Sequence, residues 1–566
     1  MQPMCQEKTH LFAGTYAPRE VCGCSVPHTL CRTFYIPRRG LDYPPAVTRS
    51  TRLLALLLLA TPLQARAQPA EFLPVRNPAY EEIEALSARG RLDSLPVYTR
   101  PVARVDVARA LLRAARRDST VVQDPHFQRL EREVARELED LAGTEGTTLG
   151  DAPRETGPLL DVGPRERRFR LSPAVHLRGD YEETRDPHFR LRDESSVSVR
   201  LSLQLWPGIA AFEDFGITRI RSDRDWIDAI ALHSDLETAV FGAELTGRTG
   251  ALTAAAGYDQ FRWGPGRRGT LLLSSAAGPM GFLVYSARLG GRVTATALSG
   301  QISRAEDKFL AAHRIEAEPL RNLTVGLAEA VRYRSDGFDL LYTLGFLPYA
   351  IVERIHIRDV ADSVRALERA NIMASMDLVW RVIPDLSVYT ELLVDDFTTE
   401  NEDMPDRFAY QFGLRSDRPF GRGAIHLLGE YTRVRNFTYS VDYGQNFIHR
   451  DRPLGYVLGP DVENLWAEAI LDVSRDWQLR WTGDFTNRGE GRLGVPWTLS
   501  MGPIDNSGLS GVVEKRREVW GDVRWLPRDN VDLSLGVGYL RVNNEENVSG
   551  SDRTAWLARL AADVRY

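Results

Sequence analysis

From Phe169 to the end of the chain, apolar side chains recur at every second position. In Val197–Leu205 the apolar set is Val197, Val199, Leu201, Leu203 and Leu205, with Ser198, Arg200, Ser202 and Gln204 between them. Phe408, Tyr410, Phe412 and Leu414 alternate with Ala409, Gln411 and Gly413. Trp477, Leu479, Trp481 and Phe485 alternate with Gln478, Arg480, Thr482 and Asp484, and Val531–Tyr539 repeats the scheme with Asp532 and Ser534 on its polar side. A period of two predicts strands with two unlike faces. A soluble sandwich and a membrane barrel both show such alternation, and three features favour the barrel. Arginines and acids lie deep in the polar sets, as a wet lumen allows. Trp206, Trp380, Trp477 and Trp525 sit near strand ends, as in interfacial girdles. The last segment places Trp556, Ala558, Leu560, Ala562, Val564 and Tyr566 on one face and ends on the aromatic, like the C-terminal signal of bacterial outer-membrane proteins.

Upstream, the period is helical. Residues 72–142 carry Ile83 and Leu86 on one face with Gly90 as a stop, then Val105, Ala108, Leu112 and Ala115. Asp124-Pro125 supplies an N-cap and a first-turn proline for a third helix, with an apolar stripe of Phe127, Leu130, Val134, Leu138 and Leu141. Three short amphipathic helices make a small bundle or a cap on something larger. The expected organisation is a leader over 1–67, a helical periplasmic head over 68–142, a Gly/Pro-rich linker over 143–168 and a barrel over 169–566.

The connections give a strand count. Tight turns are predicted at Pro207-Gly208, Gly247–Gly250, Gly290-Gly291, Pro319–Asn322, Pro384-Asp385, Pro419–Gly423, Ser474–Asp476 and Pro527–Asn530. Longer polar stretches separate them, near 182–194, 220–232, 261–281, 305–310, 335–370, 398–406, 437–462, 489–515 and 544–552. Eight turns alternating with nine loops require about 18 antiparallel strands and leave both termini on the short-turn side.

Leu53–Ala60 is a short apolar core behind Arg49 and Arg52, followed by Ala65-Arg66-Ala67. This is the anatomy of a secretory signal, so the mature chain is expected to begin near Gln68. The stretch is too short for a transmembrane helix. The 48 residues before it read as a mis-assigned start, with initiation nearer Val47. They hold all four cysteines, Cys5, Cys22, Cys24 and Cys31. Cys22-Gly23-Cys24 lacks zinc-knuckle spacing. Residues 1–67 carry eight Lys/Arg and three Asp/Glu, which leaves 63 basic against 74 acidic residues beyond them, a net charge of −11. That argues against a general nucleic-acid binder. Arginine supplies 68 of the 71 basic residues, and its planar fork suits carboxylates and phosphates.

Several stretches, in order, resemble the Wzi capsule assembly family. They are Ala79-Tyr80-Glu81-Glu82-Ile83-Glu84-Ala85-Leu86 with Gly90-Arg91-Leu92, then Arg262-Trp263-Gly264-Pro265-Gly266 with Thr270-Leu271-Leu272-Leu273-Ser274. Glu329-Ala330-Val331-Arg332-Tyr333 and Glu391-Leu392-Leu393-Val394-Asp395-Asp396-Phe397 follow. Last come Glu430-Tyr431-Thr432-Arg433-Val434 and Arg452-Pro453-Leu454-Gly455. The resemblance implies an outer-membrane barrel of eighteen strands with a helical bundle closing its periplasmic end. It also implies a lectin-like, non-enzymatic role in holding or assembling exported capsular polysaccharide. Expected partners are that polysaccharide, outer-membrane lipid and lipopolysaccharide, and the barrel insertion machinery.

Candidate ligand residues are Arg262, Trp263, Arg267 and Arg268 in the third outer loop, with Arg332, Tyr333, Arg433 and Arg435 at the later motifs. Arginines would bind acidic groups and Trp263 would stack on a sugar face, unless the motif instead folds the loop into the barrel mouth. Glu329, Arg332, Glu391, Glu430 and Arg433 also fit polar lumen networks. Asp395 and Asp396 are strand neighbours that point to opposite faces, which argues against a catalytic pair. No nucleophile elbow, P-loop or H-E-x-x-H pattern occurs, and the histidines lack ligand spacing. No catalytic residue, cofactor or metal is therefore expected. A passive porin is the alternative function.

Overall fold

The computed structural model describes residues 71–145, 158–164, 167–182, 190–206, 208–222, 237–249, 251–303, 306–357, 370–396, 404–420, 423–474, 476–528 and 530–565. The expected leader with its cysteines, the expected secretory signal and most of the expected linker lie outside the described residues.

Eighteen strands form one closed antiparallel barrel. They are β1 (Phe169–Glu182), β2 (Arg190–Trp206), β3 (Ile209–Ser222), β4 (Glu237–Thr249), β5 (Leu252–Asp259) and β6 (Met280–Leu289). Next come β7 (Val293–Ser303), β8 (Lys308–Leu320), β9 (Leu323–Arg334), β10 (Asn371–Ile383), β11 (Leu386–Asp396) and β12 (Arg407–Phe420). The last are β13 (Gly423–Val434), β14 (Val462–Asp472), β15 (Trp477–Arg488), β16 (Glu514–Arg528), β17 (Val531–Asn543) and β18 (Arg553–Arg565). Each strand pairs with the next. β18 returns to β1, with Leu557 opposite Glu182 and Arg565 opposite Ala174. Closure leaves no unpaired edge, which a membrane demands. The expected eighteen strands are observed, and the short turns all fall at one end, as at Gly290-Gly291, where both residues take left-handed backbone.

The alternation separates lipid from lumen. Val197, Leu327, Phe412, Leu535 and Leu560 are exposed on the outer wall, whereas Asp377, Gln411 and Thr432 are buried inside. Trp206, Trp380, Trp477 and Trp525 are exposed beside the short turns. Trp477 and Trp525 face each other in register and stack with centroids 5.6 Å apart. Such a belt marks a membrane interface. Among the described residues no helix is long and apolar enough to cross a membrane; the strands do the crossing.

The head contains four helices, α1 (Ala79–Ala88), α2 (Arg104–Arg117), α3 (Pro125–Glu133) and α4 (Ala135–Glu145). The third expected helix is thus divided at Val134, whose backbone leaves the helical region (φ −109°, ψ 22°). Val134 N still donates to Leu130 O, and Val134 O still accepts from Leu138 N. The break is therefore a kink, and the apolar stripe of Phe127, Leu130, Val134, Leu138 and Leu141 stays buried across it. The head sits within the short-turn end of the barrel. Arg381 donates to Ser87 O (2.9 Å), Ser94 N to Glu318 (3.1 Å), Arg248 to Asp106 (2.7 Å) and Arg415 to Glu84 (2.9 Å). Glu71 accepts from Arg200 (2.7 Å) and Ser202 (2.9 Å). All these wall residues lie in the short-turn halves of their strands.

The long connection 335–370 carries two further helices, α5 (Leu340–Leu344) and α6 (Tyr349–Ile357), against the outside of the wall. Tyr349 N donates to Glu329 (2.9 Å), and Tyr342 stacks on Tyr333 with centroids 4.6 Å apart.

Candidate functional site

The third outer loop, expected near 261–281 and observed as residues 260–279, does not stand out from the barrel. It turns inward and becomes the centre of the lumen. Trp263 pairs with Thr99 and Arg262 with Arg100 of the head. Gly264 N donates to Tyr98 O (2.9 Å) and Trp263 N to Leu273 O (2.9 Å). Carboxylates and an amide of β11–β13 receive the rest of the segment. Glu391 accepts from Leu271 N (2.9 Å), and Gln411 donates to Gly269 O (3.1 Å). Glu430 accepts from the backbone N–H of Arg267 and Arg268 and from the Tyr389 hydroxyl. Backbone groups of the inward segment are thus paired with side chains of the wall, as a water-poor interior favours.

The motif's glycines follow from this close approach. Gly264 has φ +123°, and a Cβ there would lie 2.6 Å from Glu391 Oε2. A Cβ at Gly266 would lie 2.1 Å from Gln411 Oε1. Gly264→Ala is expected to destabilise the barrel by about 1–3 kcal/mol through backbone strain. A lowered unfolding temperature in heat-modifiable gel mobility would show it; an unchanged one would mean the segment shifts freely.

This inward fold revises the exposed-cation reading. Trp263 is 1% exposed and offers no face for a sugar. The Arg262 guanidinium turns back to Gly266 O, and burial, with Arg100 beside it, pushes its pKa down to about 10. Arg267 pairs with Glu81 (2.8 Å) and Glu468 (3.4 Å). Glu468, against the opposing effect of burial and helped by Glu81, holds that guanidinium charged well above arginine's ordinary range. Arg268 pairs with Asp484 (3.0 Å) and lies over the Trp466 ring. The physical reason is the supply of fixed, charged acceptors inside: Glu81, Asp484, Glu391, Glu430 and Glu468 receive the segment's N–H and guanidinium groups in the lumen.

The later residues divide by strand parity. Arg332 is buried on the lumen face. Tyr333 faces outward beneath α5, where Asp339 N donates to its hydroxyl (3.3 Å). Glu329 and Arg433, expected in the lumen, also face outward, because they share faces with exposed Leu327 and Leu427 respectively. Helix α6 covers the first. Residues 505–508 cover the second, and Arg433 donates to Gly508 O (2.6 Å). Arg435 lies over the Phe408 ring (3.9 Å) at the long-loop rim, with its side chain 22% exposed. Asp395 accepts from Tyr439 N (2.7 Å), a structural task.

The mouth is built by residues 435–461. Tyr439, Phe447 and Tyr456 are fully buried there. The Tyr439 hydroxyl donates to Leu271 O (2.7 Å) and accepts from Tyr456 N (3.1 Å), so the mouth is locked onto the inward segment. Above it stands a small hairpin in which Ile448 pairs with Pro453 and His449 with Arg452. Its tip is Arg450-Asp451, both exposed and both left-handed (φ 51° and 60°), the geometry of a two-residue hairpin turn. Arg450 reaches the Tyr258 hydroxyl at the rim (2.6 Å). Sequence reasoning missed Arg450, Asp451 and Tyr258, although Arg452-Pro453 lies directly beside the tip.

The chain matches the capsule assembly protein Wzi family over residues 243–557, more than half its length. It belongs to that family. The family match takes in the inward segment, α5, α6 and the mouth, and leaves the head and β1–β3 outside it. Among solved structures, the chain is similar to Wzi of Escherichia coli, described as an outer-membrane protein involved in group 1 capsule assembly and a carbohydrate-binding β-barrel. The identity is 14%, with 88% of this chain and 99% of that one covered and a TM-score of 0.58, which shows a shared fold. OprD of Pseudomonas aeruginosa is more distant, at 10% identity, 70% and 95% coverage and a TM-score of 0.40. No curated protein matches the chain by sequence. Family and architecture together make this Wzi-family member an outer-membrane β-barrel.

Proposed function

We propose that the protein binds exported capsular or extracellular polysaccharide and holds it at the cell surface, without catalysing a reaction. The observation that carries this reading is the filling of the lumen by the chain itself. The head enters from the short-turn end, the 260–279 segment occupies the centre, and residues 435–461 lock onto that segment from the mouth. A porin has no use for such an interior. Carbohydrate binding by the structurally similar Escherichia coli protein supports the same reading. Short turns and the head then face the periplasm, and the long loops face outward, the usual asymmetry of these barrels. Lipopolysaccharide and lipid would surround the apolar wall, and the barrel insertion machinery would place it there. Of the eight arginine and aromatic positions singled out in the sequence, Arg435 at the rim remains the one we retain for ligand. Arg450 and Tyr258 join it.

The test is a double variant, Arg435→Ala with Arg450→Ala, in cells that make the polysaccharide. Loss of charge-assisted hydrogen bonds, each about 1.5–3 kcal/mol, should weaken binding on the order of tenfold or more. Cell-associated polysaccharide should fall while heat-modifiable mobility stays normal. Retention unchanged in the double variant and also in a strain lacking the protein would refute the function.

A further inference from the structure

We propose that the seam between the helical head and the barrel wall is a divalent-metal site, of zinc type by its donors, formed by His126, His426 and Asp472. His126 is the second residue of α3, His426 lies in β13 and Asp472 ends β14. Their ligand atoms all lie within 4.8 Å of one another. His126 Nε2 is 3.5 Å from Asp472 Oδ2, and His426 Nε2 is 3.2 Å from the same oxygen. Zinc bound tetrahedrally at about 2.0–2.2 Å sets ligand-to-ligand edges of roughly 3.3–3.6 Å. Two of the three edges are therefore already near the required length. The rings stand perpendicular with centroids 4.8 Å apart, edge to face and not stacked, and both Nε2 atoms approach Asp472 Oδ2.

The surroundings fit a metal centre as well. Each imidazole has its other nitrogen, Nδ1, held by a carboxylate: Glu82 for His126 and Asp417 for His426. Carboxylates in that position orient metal-bound imidazoles and fix which nitrogen faces the ion. Asp472 Oδ1 accepts from Gln478 (2.8 Å), which leaves Oδ2 aimed at the two rings. His126 is 95% buried, and its Nε2 has no hydrogen-bond partner, an uncommon state for a buried nitrogen. Arg129 grips Glu82 (2.8 and 3.0 Å) and stands 4.0 Å from Asp472, and Arg415 grips Asp417 (2.7 Å). Three carboxylates thus face two arginines, and the excess negative charge favours a cation. A metal here would clip the head to strands some 300 residues away in the chain.

The full-length protein in detergent, stripped with chelator, is titrated with zinc chloride alone by calorimetry. Cobalt chloride is titrated in parallel and read by absorption. One zinc per chain and a tetrahedral cobalt spectrum are expected, with a raised unfolding temperature. His126→Gln and His426→Gln should each abolish the stoichiometric site while His356→Gln, on α6, retains it. Folding is followed by heat-modifiable mobility. Should a variant fail to fold, the wild-type titration and cobalt spectrum decide alone. No stoichiometric zinc on folded wild-type protein, or binding unchanged in folded His126→Gln and His426→Gln, would overturn the site and leave a histidine–carboxylate cluster without metal.

Discussion

Barrels lacking residues 71–145 are expected to conduct ions in planar bilayers, on the order of tenfold or more above the full-length protein. An eighteen-stranded barrel is wide enough for an aqueous channel unless something fills it. Here the head fills the short-turn half. Its removal strips Thr99 and Arg100 from the inward segment, Asp106 from Arg248 and Arg288, and Glu71 from Arg200. Trp263 then loses the strand partner that covers it. The barrel ladder itself does not depend on these contacts, so truncated protein that shows normal heat-modifiable mobility should insert and conduct. Equal conductance of the two forms would mean that the mouth alone closes the barrel.

Arg314→Leu is expected to destabilise the protein by about 3–5 kcal/mol, the usual cost of removing one member of a buried charge cluster. Arg314 is 1% exposed on the lumen face of β8. It donates to both oxygens of Asp377, to Glu316 (3.4 Å) and to Thr99 of the head (2.8 Å). The leucine would leave Asp377 and Glu316 buried with no cation between them. Arg314→Lys keeps the charge but loses the planar fork, so an intermediate loss is expected. The unfolding midpoint in urea, read by gel mobility, is the check. A loss below about 1 kcal/mol would show that water reaches the cluster and screens it.

The strand count was legible because a two-residue period and Pro/Gly turns are local signals. Gly290-Gly291 and Pro384-Asp385 mark the chain reversals where they stand. Facing within a strand follows from the same parity. For Glu329 and Arg433, charge points to the lumen, whereas parity with Leu327 and Leu427 puts them outside under covering segments. The Arg262–Gly266 motif is legible in sequence, which leaves two directions open: outward as a ligand loop, or folded into the barrel mouth. Whether a loop rises or folds inward is decided by acceptors such as Glu391 and Glu430 on strands 120 or more residues away. The His126, His426 and Asp472 cluster escaped for the same reason, since no spacing rule connects a helix of the head to two barrel strands.

The most direct test is equilibrium binding of the cell's own extracted surface polysaccharide to purified, folded, full-length protein in detergent, repeated at rising ionic strength. Saturable binding that weakens as salt screens the rim arginines is the predicted result. Folded protein that conducts ions and shows no polysaccharide binding at any salt concentration would contradict the account and return the barrel to the porins.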